Sequence, residues 1–204
     1  MRRRAHVCML NFIREHSRVI TKLISYQFGS AFLALALGFA VPSENTALQL
    51  CTSIFAILFM VYLNHTVLWE HGAKNRIRVD AGRAKYDPLT GLFIGLVAGI
   101  PNIFLGVVVA VTRFLALADG PFGWEWAGGV NFLFNWIARL WQGMYLGIIQ
   151  AVAPGSHYIL LLTPLPAILF AFLSYWMGLQ NYRMFGIFTL KRPEEKKSGP
   201  SVKK

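Results

Sequence analysis

The chain has 204 residues, of which 55% are hydrophobic and only 14% are charged, and it carries a formal net charge of +11. Soluble domains carry about 25% charged residues, so this composition argues against a soluble fold. The basic residues flank long apolar runs, which argues against a nucleic-acid partner and indicates the cytoplasmic side of a membrane. No cofactor is expected, because the two cysteines, Cys8 and Cys51, show no metal-binding spacing.

Residues 1–22 are predicted to form a basic amphipathic arm in the cytoplasm. Apolar and basic side chains recur at helical spacing, which favours a helix on the anionic leaflet. The apolar residues are Val7, Leu10, Ile13 and Ile20, and the basic ones are Arg14, Arg18 and Lys22. Because the apolar run that follows continues from Leu23, we expect a retained anchor helix and not a cleaved signal peptide.

Four stretches contain no Asp, Glu, Lys or Arg and are long enough to span a bilayer, which takes about 20 residues. They are residues 23–41, 47–69, 89–112 and 158–179. The predicted fold class is therefore an all-α integral membrane protein, with a four-span membrane domain at residues 23–182. The basic tail, residues 183–204, has no apolar face to bury, and we expect it to be disordered in the cytoplasm.

Charge counting predicts the orientation. With four spans and both termini inside, 18 of the 20 basic residues are cytoplasmic. A fifth span would place the tail and its seven basic residues outside, against the positive-inside rule. We therefore expect a multi-pass protein of the plasma membrane, with both termini cytoplasmic and residues 113–157 outside.

Within that outer segment, residues 130–152 are predicted to form an interfacial or re-entrant helix, and a fifth span is the alternative. The segment is apolar, and its tryptophans suit the depth of the lipid headgroups. Arg139 lies in the middle of it. An arginine among aromatic residues is a candidate for binding an anionic ligand, although it is equally suited to pair with Glu125 or with a lipid phosphate.

The third span carries glycines at intervals of four: Gly91, Gly95 and Gly99, with Gly106 close to the same face. Such small-residue ridges let helix backbones touch in lipid, where packing drives association. The ridge therefore predicts a helix-packing face, against another span of the same chain or against a second copy.

Prolines interrupt the third and fourth spans. Pro101 lies beside Asn102, and Pro164 follows Thr163. Broken helices near the midplane form substrate sites in transporters, so these four residues are a candidate substrate path. Prolines are also common in membrane helices as packing kinks, and this alternative stays open.

The stretch from residue 74 to residue 91 is the most charged before the tail. Its "DAGRA" and two aspartates, Asp80 and Asp87, resemble part of the signature of the CDP-alcohol phosphotransferases, D-x2-D-G-x2-A-R-x8-G-x3-D-x3-D. The resemblance implies a metal-dependent enzyme, but Ala81 replaces a glycine and the later acidic residues are absent. We expect instead an anchor that contacts anionic lipid or a partner through Lys74, Arg76, Arg78, Arg83 and Lys85.

Two function classes follow from these patterns. The first is a non-enzymatic accessory or interaction subunit of a membrane assembly, with other membrane subunits or a second copy as partners. The alternative is a small oligomeric transporter or channel. The metal-dependent phosphotransferase is a remote third hypothesis.

Overall fold

The structure is a computed structural model that describes residues 2–41, 45–117, 125–152 and 159–182. All regular secondary structure in these ranges is helical. The helices are α1 (Arg2–Phe39), α2 (Thr46–Asp80), α3 (Thr90–Leu117), α4 (Glu125–Trp141), α5 (Leu146–Val152), α6 (Ile159–Leu162) and α7 (Pro164–Leu179), with one 3-10 turn at Gly143–Tyr145. The tail predicted to be disordered lies outside the described residues.

Four helical segments are long and apolar enough to cross a membrane, which confirms the all-helical prediction with four candidate spans. They are Asn11–Phe39, Thr46–Asp80, Thr90–Leu117 and Ile159–Leu179, the last formed by α6 and α7 together. Large apolar side chains on these helices point outward, as with Phe32 (67% exposed) and Leu169 (63% exposed). Apolar patches of this extent are not tolerated in water, so the surface supports a membrane environment.

The boundary predicted at residue 22 is not a break in the structure. α1 is continuous from Arg2 to Phe39, because no glycine or proline interrupts residues 11–28. The arm contacts the rest of the protein, since Ile20 is buried in a cluster with Leu68 and Ile94. The apolar face of the arm thus packs in part against α2 and α3.

α2 is longer than the predicted second span. Its 35 residues extend about 52 Å at 1.5 Å per residue, against a hydrocarbon thickness of about 30 Å. The charged extension forms two (i, i+4) ion pairs, Glu70 with Lys74 at 2.6 Å and Asp80 with Arg76 at 2.9 Å. Such pairs stabilise an exposed helix by about 0.2–0.5 kcal/mol each. The helix therefore continues well past the apolar run that begins it.

α7 lies between α2 and α3, and α4 packs on another side of α3. α2 and α7 approach closely, where a Cβ atom added to Gly72 would lie 3.1 Å from the Cα of Gly178. Glycines let the two backbones touch there. We call this region, where α2 ends and α3 begins, the α2–α3 end, and the opposite one the α1–α2 end.

Residues 125–152 form a helical hairpin and not the single helix predicted at 130–152. α4 runs antiparallel to α3, since Asn131 bonds the carbonyl of Val109 and Trp141 bonds Asn102. The chain turns at Gly143–Tyr145, and α5 returns along α2 until Gly147 contacts Gln49. Both ends of the hairpin therefore lie towards the α1–α2 end.

The hairpin turns at this point for two physical reasons. Glycine has a low helix propensity, and Gly143 lies two residues after the last residue of α4. Its missing side chain also lets α1 approach, because a Cβ there would lie 3.0 Å from Cγ of Leu35. The tip of the hairpin is thereby held against α1 inside the bundle.

Candidate functional site: a polar layer inside the bundle

The predicted glycine ridge faces the fourth span of the same chain. A Cβ atom on Gly95 would lie 2.8 Å from the Cβ of Ala171, and one on Gly99 would lie 3.4 Å from Cδ1 of Ile168. Further along, a Cβ on Gly106 would lie 3.1 Å from the carbonyl oxygen of Leu160. The remaining ridge member, Gly91, contacts the side chain of Tyr175. The whole ridge therefore packs against α6 and α7.

Three of the four candidate path residues lie in or beside a buried cluster of polar side chains. Thr163 Oγ1 donates to Oε1 of Gln142 at 2.7 Å, and Gln142 Nε2 lies 3.5 Å from the carbonyl oxygen of Asn102. Asn102 Oδ1 also accepts from the indole of Trp141 at 2.6 Å. Pro164 is fully buried beside this cluster. The hairpin tip, the third span and the fourth span thus meet through hydrogen bonds.

The fourth candidate, Pro101, is half-buried within α3 and does not break the helix, which continues from Thr90 to Leu117. Gln142 was missed by sequence reasoning although its side chain is fully buried. Its only signal was a lone amide at the end of an apolar segment, with no spacing to link it to Asn102.

The break at Thr163 has a local explanation. Pro164 has no N–H to donate to the carbonyl of Leu160, so that carbonyl loses its helical partner. The Thr163 hydroxyl replaces it, with Oγ1 at 2.8 Å from the Leu160 oxygen. The same hydroxyl also faces Gln142 Oε1, so its single hydrogen is shared between two acceptors, the Leu160 carbonyl and the Gln142 side chain.

Two further amides, Gln27 on α1 and Asn64 on α2, each have one buried side-chain atom. The side-chain nitrogen of Gln27 and the side-chain oxygen of Asn64 have no hydrogen-bond partner among the described residues. Gln27 lies one turn after Leu23, and Asn64 one turn before Leu68, two residues that share a cluster. The two amides therefore lie at a similar depth. A buried polar group without a partner costs about 1–3 kcal/mol, so both are candidates for contacting a ligand.

The hairpin is fixed to α3 by a second polar contact nearer the α1–α2 end. Asn131 Nδ2 donates to the carbonyl of Val109 and to Oγ1 of Thr112, both at 2.9 Å. The outward face of α4 is apolar, with Phe132 75% exposed and Trp136 58% exposed. α4 therefore places its amide side chains, Asn131 and Asn135, against the protein and large apolar side chains outward.

Arg139, the candidate for an outer anionic ligand, lies on the exposed part of α4. Its Nε donates to Oδ1 of Asn135 at 2.8 Å. The alternative pairing with Glu125 falls on a side chain outside the described ones, so it stays a prediction.

The basic residues at the α2–α3 end differ in their contacts. Lys74 and Arg76 pair with Glu70 and Asp80, whereas Arg78, Arg83 and Lys85 are exposed. Asp87 accepts from the backbone of Leu89 at 3.0 Å and from the hydroxyl of Thr90 at 3.3 Å. Both aspartates of the partial signature are thus engaged by neighbours in the chain. Within the described ranges, no group of three or more His, Cys, Asp or Glu is placed to hold a metal ion.

A cavity of about 250 Å³ opens between α1, α2 and the returning arm of the hairpin. One wall is polar, and there the Ser53 hydroxyl accepts from the backbone of Gly147 at 2.9 Å. The lining includes Gly143, the residue that follows Gln142 in the chain. It also includes Gln49, Thr52 and Gln150 but no charged side chain. The cavity therefore leads from the α1–α2 end towards the hairpin tip.

Comparison of the chain with protein families, with curated proteins and with solved structures finds no match. The site therefore has to be interpreted from its own geometry.

Proposed function

We propose that the protein is a non-enzymatic membrane protein that admits a small, uncharged polar solute to the polar layer at mid-depth. One observation carries the proposal: the hairpin tip, at Gln142, meets the fourth span inside the bundle at Thr163, where Pro164 removes a backbone hydrogen bond. The backbone at Gln142 is non-helical, and such backbone at membrane depth is tolerated where it is buried in protein or lines a polar cavity, as in the substrate sites of transporters.

The chemistry of the layer supports a neutral solute. The side chains joined there by hydrogen bonds are two amides and a hydroxyl, namely Asn102, Gln142 and Thr163. These groups offer hydrogen bonds but no formal charge, and an ion entering them would lose its hydration without a counter-charge. A solute with hydroxyl or amide groups matches them.

The cavity between α1, α2 and the returning arm of the hairpin supports an access route from the α1–α2 end. Gly143 belongs to the cavity lining, while the adjacent Gln142 bonds the fourth span. In this conformation Gln142 has no exposed surface, so the layer is closed. Passage of a solute requires the tip to move away from Thr163.

Reconstitution into liposomes tests this proposal. Osmotic shrinkage and recovery with glycerol or urea should be faster than in protein-free liposomes, while chloride leakage should not change. Thr163→Val removes the hydroxyl that links tip and break, so it should change the solute rate severalfold. Thr66→Val is the matched control, because Thr66 is exposed on α2 and bonds only its own helix, at the carbonyl of Tyr62. Equal rates with and without protein, or equal effects of the two variants, would contradict the proposal.

The accessory-subunit hypothesis is the second candidate. Its support is the exposed basic surface at the α2–α3 end, formed by Lys74, Arg78, Arg83 and Lys85, which suits anionic lipid or an acidic partner. The glycine ridge, which would have been a face for binding a partner, supports this hypothesis less, because the fourth span of the same chain packs against it. Co-purification of a stoichiometric partner in mild detergent would favour this hypothesis over solute passage.

We also propose that the α2–α3 end is cytoplasmic and that the membrane is the plasma membrane. The support is the number of basic residues at that end and in the tail. Single cysteines replacing Lys85 and Gly128 should label from opposite sides in a background without native cysteines. Labelling of both from one side would refute the orientation.

A further inference from the structure

A groove of about 420 Å³ lies between α2 and α7 at the α2–α3 end. Its floor is the close contact of the two helices, where the missing side chain of Gly178 lets the backbones meet. The lining comprises Trp69, Ala73, Arg76, Ile77, Asp80, Gly178, Gln180 and Asn181. The groove thus combines small residues at its base with polar and charged residues at its rim.

The groove lies at the depth expected for lipid headgroups. Trp69, at the end of the apolar run of α2, donates its indole N–H to the carbonyl of Tyr182 at 2.7 Å. Trp176 on α7 is two residues before Gly178, which contacts Gly72 of α2. Trp176 therefore lies at a level similar to that of Trp69, and its side chain is 40% exposed. Tryptophans concentrate at the interface between hydrocarbon and water. The charged rim lies on the aqueous side of that level, with Arg76 about 10 Å and Asp80 about 16 Å along α2 from Trp69.

The rim carries both signs of charge. Arg76 Nε lies 2.9 Å from the Asp80 carboxylate, and the two side chains are 41% and 60% exposed. Arg76 Nη1 also reaches the carbonyl of Leu179 at 3.4 Å, which draws the guanidinium towards α7. A purely anionic headgroup would meet the carboxylate of Asp80 as well as the guanidinium. A group with a phosphate and a cation is complementary to both.

We propose that this groove binds the headgroup of a zwitterionic phospholipid of the phosphatidylethanolamine class. The guanidinium of Arg76 binds the phosphate, and the carboxylate of Asp80 accepts from the primary ammonium. Charge-assisted hydrogen bonds of both kinds are stronger than neutral ones. Ile77, 69% exposed, contacts the glycerol and upper acyl region. This site differs from the general attraction of basic residues to anionic lipid, and it does not depend on solute passage.

Lipid retention tests the site. The full-length protein is placed in nanodiscs containing equal amounts of phosphatidylethanolamine and phosphatidylglycerol, released into mild detergent, and the retained lipids are measured by mass spectrometry. The parent should retain phosphatidylethanolamine in excess. Asp80→Asn removes the ammonium partner and leaves Arg76 unpaired. The ratio of retained phosphatidylethanolamine to phosphatidylglycerol should therefore fall by about tenfold, the effect of losing one charge-assisted hydrogen bond, so that phosphatidylglycerol is favoured. Arg76→Gln should lose both lipids.

The chain offers a matched control. Glu70 and Lys74 form an (i, i+4) ion pair on the same helix, with similar exposure of 56% and 66%, outside the groove. Glu70→Gln and Lys74→Gln should keep the parent ratio, and all four variants should melt near the parent temperature because both pairs are exposed. Equal retention of the two lipids by the parent, or an unchanged ratio in Asp80→Asn, would overturn the proposal.

Soluble glycerophosphoethanolamine separates headgroup recognition from acyl-chain contact. Because the polar contacts are all to the headgroup, this compound should displace retained phosphatidylethanolamine from the parent but not phosphatidylglycerol from Asp80→Asn. Failure to displace phosphatidylethanolamine would refute recognition of the headgroup.

Discussion

On one side, α3 contacts α6 and α7 through glycines, and on the other it contacts α4 through amide hydrogen bonds. Against α7, the missing side chain of Gly95 leaves room for Ala171. Against α4, Asn131 and Trp141 reach the carbonyl of Val109 and the amide of Asn102. The same helix therefore has one face fitted by shape and one face fitted by hydrogen bonds.

The two kinds of contact respond differently to movement. Helices in lipid gain little from excluding water, so a glycine face is stabilised by close packing and loses its contacts when the partner withdraws. A polar face can exchange one hydrogen-bond partner for another, including water or a solute. We therefore expect the fourth span to stay fixed on α3, and the hairpin to be the part that moves.

The largest effect is expected at the backbone contact of α2 with α7. In Gly178→Leu, the first side-chain atom would already collide with the backbone of Trp69 on α2. Overpacking of a well-packed core typically costs about 1–3 kcal/mol, and collision with backbone should reach or exceed this range. Thermal melting of the detergent-solubilised protein should show a large loss of stability or no folded protein. Gly29→Leu, where nothing lies within 4 Å, is the control and should melt like the parent.

A smaller loss is expected on the glycine face of α3. In Gly95→Leu, the Cβ atom would lie 2.8 Å from the Cβ of Ala171. A small shift of α7 can relieve part of this collision. The melting temperature should fall, by less than in Gly178→Leu, while size-exclusion elution should not change because the contact lies within one chain. Ile100→Leu, at a position 50% exposed on α3, should be neutral. A change of oligomeric state without loss of stability would show that the ridge also serves a second copy.

The smallest loss of stability is expected on the polar face. Asn131→Leu removes two hydrogen bonds from α4 to α3, and such bonds in membrane proteins contribute about 0.6 kcal/mol on average. Melting should shift slightly, but a cysteine at buried Ala138 should label faster as the hairpin loosens. Phe132→Leu, on the outward face, is the control. A melting loss as large as that of Gly95→Leu would remove the distinction between the two faces.

The sequence predicted the elements that depend on local composition. About 20 consecutive apolar residues suffice to identify a span, and the four candidate spans follow from that requirement alone. The glycine interval of four marked a face of α3, because three glycines recur on one helix. Gly72 and Gly178 gave no such signal, since each is a single small residue and their contact joins positions far apart in the chain.

The hairpin could not be read from its own residues alone, for a related reason. Gly143 weakens the helix locally, but residues 130–152 are apolar enough to continue as one helix, and contacts of Gln142 with Asn102 and Thr163 hold the turn in place. These partners belong to other helices. Likewise, Arg76 and Asp80 lie four residues apart on one helix, and only the approach of α7 places their ion pair at the rim of a groove.

The shared hydrogen of Thr163 has a kinetic consequence. Collective movements of helices take microseconds to milliseconds, whereas a hydroxyl group reorients much faster. When the hydroxyl points to Leu160, at 2.8 Å, the fourth span satisfies its own broken backbone and releases Gln142. When it points to Gln142, at 2.7 Å, it holds the tip. The tip can therefore detach without leaving the Leu160 carbonyl unpaired, so its departure breaks one side-chain hydrogen bond to the fourth span and no backbone one.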